Sequence, residues 1–464
     1  MKRIMTGQAK SKRHKSILLV NPWIYDFAAY DFWIKPMGLM TLGAILRKNG
    51  FDVTAIDCLN PAYETQNPAL SISRLKRTPL GTGEFQKTHI PKPDAFSDFP
   101  RRYSRYGISI ASFHSALLRL PAPDMILVTS MMTYWYPGVF EAIRQVRAVF
   151  PGVPVVAGGG YVTLCRGHAA SSGADVLVEG PGEYALASLC RDILNEDLDF
   201  VPSPGNLDAY PYPAFDLLPR NDQIPILTSR GCPFDCTYCA SRLLYPSFAR
   251  RNPDRVVEEI EFWYKKHGIV NFSFYDDALL IRPEEMIIPL AKELGKKGLP
   301  CRFHCPNGLH LREVTEEIAG LMFHAGFETI RFGFETSEES RQRSTGGKVK
   351  NRDLERAIAC LKRAGYRGRD IGVYLLCGLP GQDAAEVRNS IDYVSARGAR
   401  PIIAEYSPIP GTALWDQAVA ASPFPIAEEP LFHNNTLLPC RNDRLDYAMY
   451  RALKMLTRQG VQKG

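Results

Sequence analysis

Short apolar runs alternate with helix-like segments along the first 190 residues. Residues 16–20 form an apolar run that ends at an Asn-Pro pair, and residues 38–50 space their apolar side chains as a helix does before ending at a glycine. This alternation is typical of an open parallel sheet, which resembles a Rossmann fold in its winding. Further strands are predicted at residues 52–57, 125–130, 153–158 and 174–180, and a helix at about 138–149. The sequence therefore predicts an α/β domain over residues 16–200, with an insertion at about 60–120 that lacks this rhythm.

A second alternation follows a segment with five prolines, residues 201–223, which we interpret as a linker. Strands are predicted at residues 224–229, 270–275, 301–305, 329–334, 371–377 and 401–406. Helices are predicted between them at residues 254–267, 284–297, 314–325, 353–364 and 384–397. Six such units indicate a partial (β/α)6 barrel over residues 224–415, and such barrels place their active sites at the carboxyl ends of the strands. Residues 416–464 are predicted to form a short helical tail, with one helix near 444–457.

Composition and charge exclude several classes of protein. The chain has 464 residues, 45% hydrophobic and 23% charged, which is ordinary for a globular protein. The net charge is +7, but residues 1–15 form a basic tail that carries six of these charges, so the rest is nearly neutral and does not indicate a nucleic-acid partner. No apolar run reaches the ~18–20 residues of a membrane span, and residues 1–16 lack the apolar core of a signal peptide. We therefore expect a cytoplasmic protein.

The eleven cysteines fall into two groups. Their odd number, without an export signal, argues against a disulfide framework. Eight are dispersed. Cys301 and Cys305, on one face of a predicted strand, are interpreted as core or pocket-lining thiols; the alternative is that they ligate a second cluster, for which two ligands are few. The other three, Cys232, Cys236 and Cys239, share one loop after the first barrel strand. Thiolates select zinc or iron–sulfur clusters. A zinc site would need a distant fourth ligand, whereas three cysteines on a four-iron cluster would leave one iron open.

The spacing Cx3CxxC, with Tyr238 before the last cysteine, resembles the radical S-adenosylmethionine superfamily. The resemblance covers roughly residues 220–415. It also rests on four motifs at the ends of later strands: residues 275–277 (YDD), 332–337 (FGFETS), 376–381 (LCGLPG) and 406–412 (YSPIPGT).

This resemblance implies a [4Fe-4S] cluster held by the three cysteines, whose open iron chelates S-adenosylmethionine. It implies that Tyr238 contacts the adenine through its backbone and that Glu335 and Ser337 lie near the ribose or the methionine. Gly378 and Pro380 would leave room for the adenine. Asp276 and Asp277 stand where the family often has Gly-Gly-Glu, a motif that contacts the methionine amino group. An electron donor such as a flavodoxin or ferredoxin is also implied.

The first domain resembles the cobalamin-binding domain that precedes the barrel in one large subgroup, over about residues 16–60 and 120–190. The implied contacts are Asn21, Ser130, Tyr134, Gly158, Gly159, Gly160, Glu179 and Gly180. The Asp-x-His-x-x-Gly motif that supplies a lower axial histidine in many cobalamin proteins is absent, and His168 lacks its spacing. The lower face of the corrin is therefore expected to meet residues 133–136 or the Gly158 loop.

These features predict a radical S-adenosylmethionine enzyme, and specifically a cobalamin-dependent methyltransferase acting on an unactivated carbon. One alternative is a rearrangement, cyclisation or oxidation catalysed by an enzyme whose first domain does not use cobalamin. The tRNA methylthiotransferases fit less well, because they carry cluster cysteines in the first domain. An iron–sulfur sensor is a third alternative, and it would need the cluster but not Glu335 or residues 378–381.

Overall fold

The computed structural model describes residues 14–66 and 75–459, so most of the predicted basic tail at residues 1–15 lies outside the described residues. The strands are β1 Ser16–Asn21, β2 Ile24–Asp26, β3 Tyr30–Asp31, β4 Asp52–Asp57, β5 Gly83–Glu84, β6 Lys87–Ile90, β7 Tyr103–Tyr106, β8 Met125–Val128, β9 Val155–Gly158, β10 Val176–Val178, β11 Ile224–Ile226, β12 Ser229–Arg230, β13 Ala249–Arg250, β14 Asn271–Phe274, β15 Arg302–Leu309, β16 Phe327–Glu335, β17 Ile371–Cys377 and β18 Arg400–Glu405.

The α-helices cover the faces of two parallel sheets. They are α1 Met37–Lys48, α2 Ile110–Leu118, α3 Tyr136–Val149, α4 Gly160–Leu164, α5 Arg166–Ala169, α6 Gly182–Leu189, α7 Ser241–Leu244, α8 Pro253–His267, α9 Ile287–Lys297, α10 Glu316–His324, α11 Glu339–Ser344, α12 Asn351–Ala364, α13 Ala384–Ala396, α14 Trp415–Ala421 and α15 Tyr447–Gln459. No helix in the described ranges is both long enough and apolar enough to span a bilayer.

The first sheet is parallel throughout, with the order β10-β9-β8-β1-β4. Alternate side chains of β1 enter different cores: Ile17 and Leu19 pack with α1, whereas Leu18 and Val20 pack with α2 and α3. A strand that is apolar on both faces can be buried only between two layers of helices. The predicted open parallel sheet is therefore confirmed, with the strand order of a flavodoxin-like doubly wound fold.

The interrupted rhythm at residues 60–120 corresponds to small antiparallel sheets. Strands β2, β7 and β6 form one of them, and β3 and β5 form the other. The insertion reaches the barrel through Trp33, which follows β3. The Trp33 ring stacks on His304 of β15 at 4.5 Å between ring centroids, and its indole N–H donates to the carbonyl oxygen of Leu80, within the insertion, at 2.7 Å. The insertion thus ties the first unit to the barrel interior.

The second sheet has six parallel strands in chain order, β11-β14-β15-β16-β17-β18. Its end strands β11 and β18 each have one neighbour, so the predicted partial barrel is confirmed. Phenylalanines 272, 274, 303 and 327 pack outward beneath the helices. Irregularities in register follow Cys305 in β15 and Gly333 in β16. Such bulges redirect side chains, and both lie near the carboxyl ends of their strands.

The segment before the barrel packs between the two units, and helix α15 after the barrel packs on the barrel itself. Phe215 and Leu218, within the predicted linker 201–223, belong to the core shared by the first sheet and the barrel. After the barrel, α15 packs on β18 and α13, and the Lys454 ammonium pairs with the Glu405 carboxylate at 2.9 Å. The limits proposed for the domains, linker and tail remain predictions.

Candidate active site

A cavity of about 350 Å³, here named the barrel cavity, opens at the carboxyl ends of the barrel strands. Its wall combines the cysteine loop, residues 231–240, with the ends of strands β15 to β18 and the segment after α11. The lining residues are Cys232, Cys236, Tyr238, Cys239, Ser241, Asp277, Pro306, Asn307, Gly308, His310, Gly333, Glu335, Lys348, Tyr374 and Ala404. The structure therefore brings together six of the residues singled out from the sequence: the three cysteines, Tyr238, Asp277 and Glu335.

The cysteine loop is held from two sides. Gly346 packs so closely that a Cβ there would lie 3.0 Å from the Cα of Cys236. The backbone N–H of Thr237 donates to Thr345 at 3.3 Å, and its carbonyl oxygen accepts from Leu414 at 2.9 Å. At the start of the loop, Gly231 has φ +78° and faces the carbonyl oxygen of Ser247, which only a glycine can approach so closely. The loop conformation is thus built into the protein scaffold.

The three thiols suit a polynuclear cluster. All three thiols lie along the wall of the barrel cavity. A four-iron cluster suits three thiolates in one wall because each thiolate binds a different iron. Burial raises the pKa of all three thiols, that of Cys232 to about 11, so without a cluster they are protonated.

Glu335 occupies a strained position at the end of β16. Its φ is +70°, in the left-handed region that glutamate rarely adopts. The carboxylate pairs with the Lys348 ammonium at 2.5 Å, and both groups are largely buried in the cavity wall. Beside them, a Cβ on Gly333 would lie 2.7 Å from the Glu335 carboxylate, so a side chain at that position would displace the ion pair. The bulge and the ion pair together aim the carboxylate into the cavity.

The two adjacent aspartates have different surroundings. The Asp277 carboxylate lines the barrel cavity and accepts a hydrogen bond from the Ser241 hydroxyl at 2.5 Å. The Asp276 carboxylate is buried beneath the first strand, where it accepts hydrogen bonds from Thr228 and from the Ser229 hydroxyl. Asp276 is not among the cavity-lining residues. Its observed contacts are structural rather than the cofactor contact expected from the sequence.

Three other predicted contacts also lie outside the lining of the barrel cavity. The Ser337 hydroxyl is within 3.1 Å of the Ser390 hydroxyl. The Gly378 backbone N–H donates to the side chain of Gln382 at 2.8 Å, and Pro380 follows in the same turn. These residues shape the ends of β16 and β17 rather than the wall of the cavity.

Several residues of the cavity wall were not singled out from the sequence. They are Ser241, Asn307, His310, Lys348 and Tyr374. The Asn307 amide donates to the carbonyl oxygen of Tyr275 at 3.0 Å, and the Tyr374 hydroxyl donates to that of Pro306 at 2.8 Å. Burial and the Lys348 charge lower the pKa of His310 to about 3, which keeps its imidazole neutral. None of these residues stands in a recognisable motif. The sequence signal near Lys348 is the Gly346-Gly347 pair before it, which is typical of a close backbone approach.

A second, smaller cavity of about 120 Å³, the sheet cavity, lies at the carboxyl ends of β8, β9 and β10 on the side of α1 and α6. Its wall is mostly apolar and includes Leu39, Leu42, Val156 and Val178. Gly158, Gly159 and Gly180, three of the residues expected to contact cobalamin, line it. Tyr245, which follows the cysteine loop, lines it as well. The sheet cavity therefore lies at the boundary between the first sheet and the barrel.

Hydrogen bonds join Ser130 to the glycine loop, residues 158–160. The Ser130 hydroxyl donates to the carbonyl oxygen of Gly158 at 2.8 Å, and the Gly160 N–H donates to the carbonyl oxygen of Ser130 at 3.0 Å. Gly159 has φ +99°, and a Cβ there would lie only 2.2 Å from that same oxygen. Gly159 is therefore required by a backbone contact. Ser130 and Gly160 support this loop but are not part of the cavity lining.

Three further residues expected to contact cobalamin lie away from the sheet cavity. The Asn21 amide donates to Asp57 at 2.7 Å, and Glu179 forms an exposed ion pair with Arg166 at 3.1 Å. Tyr134 is only 4% exposed. Its neighbour Thr133 is bonded to His433 at 2.9 Å. Because the C-terminal segment covers residues 133–136, the structure does not support the expectation that this loop meets the corrin.

His168 lies on the other side of the first sheet. Its Nδ1 is 2.6 Å from the Tyr161 hydroxyl, and its ring packs against Tyr136 at 4.4 Å between centroids. Tyr161 belongs to the core beneath α2 and α3, whereas the sheet cavity lies beside α1 and α6. No histidine lines the sheet cavity as the described residues define it.

A buried ion pair joins the two units. Arg230, just before the cysteine loop, donates to the Glu183 carboxylate of α6 at 2.6 Å, and the two side chains are 12% and 6% exposed. Removing one partner of a buried pair leaves an uncompensated charge, which typically costs about 3–5 kcal/mol. We expect Glu183→Gln to lower the free energy of unfolding in urea by about 3 kcal/mol.

Glu179→Gln is the matched control for this prediction. Glu179 lies four residues before Glu183, in the loop between β10 and α6, and its pair with Arg166 is about half exposed on both sides. Exposed pairs contribute about 0–1 kcal/mol. Equal effects of the two variants would show that the Glu183–Arg230 pair does not stabilise the junction between the units.

Family comparisons agree with the two units. Residues 226–394 match the profile of the radical SAM superfamily, and residues 106–190 match that of the B12 binding domain. The chain is 25% identical over 333 residues to an uncharacterized methyltransferase of Pyrococcus horikoshii, covering 64% of this chain and 70% of the relative. It is 24% identical over 340 residues to an anaerobic magnesium-protoporphyrin IX monomethyl ester cyclase of Rubrivivax gelatinosus, covering 64% and 58%.

The fold is also that of a solved enzyme. The radical S-adenosylmethionine methyltransferase TsrM from Kitasatospora setae, solved with cobalamin and a [4Fe-4S] cluster bound, superposes with a TM-score of 0.62. The superposition covers 89% of this chain and 76% of TsrM at 18% sequence identity. Both units of the present chain therefore have counterparts in one known architecture.

Proposed function

Because the chain combines a radical S-adenosylmethionine domain with a B12-binding domain, we propose that it is a cobalamin-dependent radical S-adenosylmethionine methyltransferase that acts on an unactivated carbon. The observation that supports this proposal is that residues of both units meet at the sheet cavity, next to the cysteine loop. Tyr245 of the barrel and Glu183 of the first unit both line the sheet cavity, and Glu183 is bonded to Arg230 at the start of the cysteine loop. Helix α4, after the glycine loop, contacts α7, after the cysteine loop.

The residues present fit a [4Fe-4S] cluster with S-adenosylmethionine. Cys232, Cys236 and Cys239 would hold the cluster. The charged groups Asp277, Glu335 and Lys348, which face the same cavity, suit the amino and carboxylate groups of a methionine moiety. Charged hydrogen bonds of this kind are strong in a partly buried site. The adenine contacts of Gly378 and Pro380 belong to this proposal too, although the described cavity does not reach these residues.

The sheet cavity fits one part of cobalamin. A volume of about 120 Å³ is smaller than the ~150 Å³ cavity that holds benzene, so the bicyclic base of the nucleotide tail would enter it only in part. The macrocycle would lie outside, over the strand ends. Three large apolar side chains are exposed in the segments around this junction: Met131, Tyr184 and Leu243. An apolar surface beside a cavity is a common feature of ligand sites.

A bound, reduced cluster would supply the electron that cleaves S-adenosylmethionine, and bound cobalamin would supply the means of transferring a methyl group. The protein orients these groups. The Lys348–Glu335 pair holds charge at the wall of the barrel cavity, and Gly158 and Gly159 form part of the wall of the sheet cavity. We propose a cytoplasmic location because free thiols and a reduced cluster suit a reducing compartment, and a flavodoxin or ferredoxin as electron donor.

Glu335→Gln is expected to weaken S-adenosylmethionine binding about 10- to 100-fold while the iron content stays unchanged. The substitution removes a charge that would form hydrogen bonds worth about 1.5–3 kcal/mol. Isothermal titration of the anaerobic protein measures the affinity. Glu339→Gln is the control, since Glu339 is exposed on α11 and forms a long ion pair with Arg343 at 3.7 Å. If Glu335→Gln binds as tightly as the parent protein, Glu335 does not contact the cofactor.

Paramagnetic resonance can test whether a nitrogen atom binds cobalt from the lower face of the corrin. Because no histidine is among the residues that line the sheet cavity in the described structure, we expect reduced cobalt in the loaded protein to show no nitrogen hyperfine splitting. A clear nitrogen splitting would contradict the proposal that the glycine loop, rather than an imidazole, lies below the corrin.

The second candidate function is a cyclisation or oxidation that uses the barrel cavity alone. It is favoured by two relatives that are named cyclases. Anaerobic expression with added cobalamin, followed by mass analysis of what co-purifies, distinguishes the two functions. We expect a corrinoid near one equivalent per chain. Protein with a complete cluster and no corrinoid would favour the second candidate.

A further inference from the structure

His310 is buried in the wall of the barrel cavity without a hydrogen-bond partner. It follows β15 directly and is only 6% exposed. Its Nδ1 has no partner among the described residues, although it is shielded from solvent. Its ring lies 4.6 Å from the ring of Phe234 at an interplanar angle of 30°. Phe234 lies between Cys232 and Cys236, so the imidazole packs on the cysteine loop itself.

A second buried histidine, His304 of β15, has hydrogen-bond partners that His310 lacks among the described residues. His304 is also fully buried, but its Nδ1 lies 3.1 Å from the Thr329 hydroxyl and its Nε2 lies 3.3 Å from the Asn271 amide oxygen. Buried polar atoms are nearly always paired, because leaving one unpaired costs free energy. The fold pairs both ring nitrogens of His304 within the barrel, whereas no described residue pairs with Nδ1 of His310, whose side chain lines the barrel cavity.

Two kinds of partner could occupy that cavity. The methionine end of S-adenosylmethionine is charged, and the charged side chains that suit it are Asp277, Glu335 and Lys348. His310 instead packs on the segment that links two of the cluster ligands. Sulfur atoms of a cluster accept hydrogen bonds, and such bonds help to set its reduction potential.

We propose that His310 is a positioning residue that donates a hydrogen bond from its imidazole to a sulfur atom of the iron–sulfur cluster, and thereby raises the reduction potential of the cluster. The inference rests on the proposed function, because it requires the cluster. The hydrogen bond stabilises the more negative, reduced state, so its loss makes reduction harder. The stacking on Phe234 fixes the plane of the imidazole, which is what a directional hydrogen bond needs.

The test is a redox titration of the full chain, monitored by paramagnetic resonance, without S-adenosylmethionine. In His310→Phe, which keeps a ring against Phe234 but removes the donor, we expect about four irons per chain and a midpoint potential more negative than that of the parent. His310→Gln restores a donor and is expected to recover part of the shift. His304→Gln, the matched control, is expected to leave the potential unchanged.

Nitrogen-15 labelling of histidine gives a second readout that does not depend on the phenylalanine variant folding. Pulsed resonance of the reduced parent is expected to show a weak nitrogen coupling that His310→Gln lacks. An unchanged potential in His310→Phe with full iron content, or no coupling in the parent, would overturn the inference and leave the proposed function intact. A change confined to S-adenosylmethionine affinity would overturn it as well. A parent protein that binds no iron would instead refute the proposed function.

Discussion

Protein in which Cys232, Cys236 and Cys239 are all alanine is expected to bind no iron and to cleave no S-adenosylmethionine. The anaerobic parent should be brown and hold about four irons, because three thiolates bind three corners of a cluster and leave the fourth iron open. The three thiols lie along one cavity wall, so removing them removes every cysteine that lines it. Iron analysis and detection of 5′-deoxyadenosine measure the two losses.

Cys301→Ala combined with Cys305→Ala is the control for this prediction. Both thiols are buried in the core that lies under the barrel helices, and the sequence had left open a second cluster there. We expect this double variant to keep about four irons. Loss of iron in the control would point to a second cluster, and zinc in the carefully anaerobic parent would contradict the iron–sulfur assignment.

Val178→Phe is expected to reduce cobalamin binding by about tenfold or more while leaving the cluster intact. Val178 ends β10 and lines the sheet cavity, so a larger ring there takes up the space proposed for the nucleotide tail. A loss of ~1.4 kcal/mol of binding free energy corresponds to a factor of ten. Equilibrium dialysis with hydroxocobalamin measures the affinity, and iron content reports on the barrel.

Val176→Phe is the matched control for the sheet cavity. Val176 lies two residues earlier on the same strand and therefore on the same face, but it does not line the cavity. We expect its cobalamin affinity to stay close to that of the parent. Equal losses in both variants would mean that binding depends on the stability of β10 rather than on the cavity.

Much of the fold could be predicted because its strands are parallel and buried. Strands such as β1 and β8 are apolar on both faces, so their position in the sequence is clear, and regular α/β winding then restricts the topology. The three cysteines could be identified from spacing alone. Gly158 and Gly159 were identified as a loop at the right end of the sheet, and the structure confirms that both line a cavity.

The rest depended on contacts that no local pattern encodes. Asp276 and Asp277 are adjacent in sequence, and only the structure shows that one holds Thr228 and Ser229 while the other faces the cavity. Lys348 reaches Glu335 because the Gly346 turn packs on the cysteine loop. Tyr134 is covered by a segment about 300 residues away in the chain, through the contact between Thr133 and His433.

Methyl transfer from S-adenosylmethionine to cobalamin on this protein is the step that the proposed function requires, and it can be measured without knowing the substrate. The anaerobic protein with its cluster is incubated with hydroxocobalamin, a strong reductant and S-adenosylmethionine that carries a deuterated methyl group. Mass spectrometry of the bound corrinoid is expected to find deuterated methylcobalamin in the parent protein and in Val176→Phe. Val178→Phe is expected to form much less of it. Formation of 5′-deoxyadenosine without any bound or methylated corrinoid would contradict a cobalamin-dependent methyltransferase.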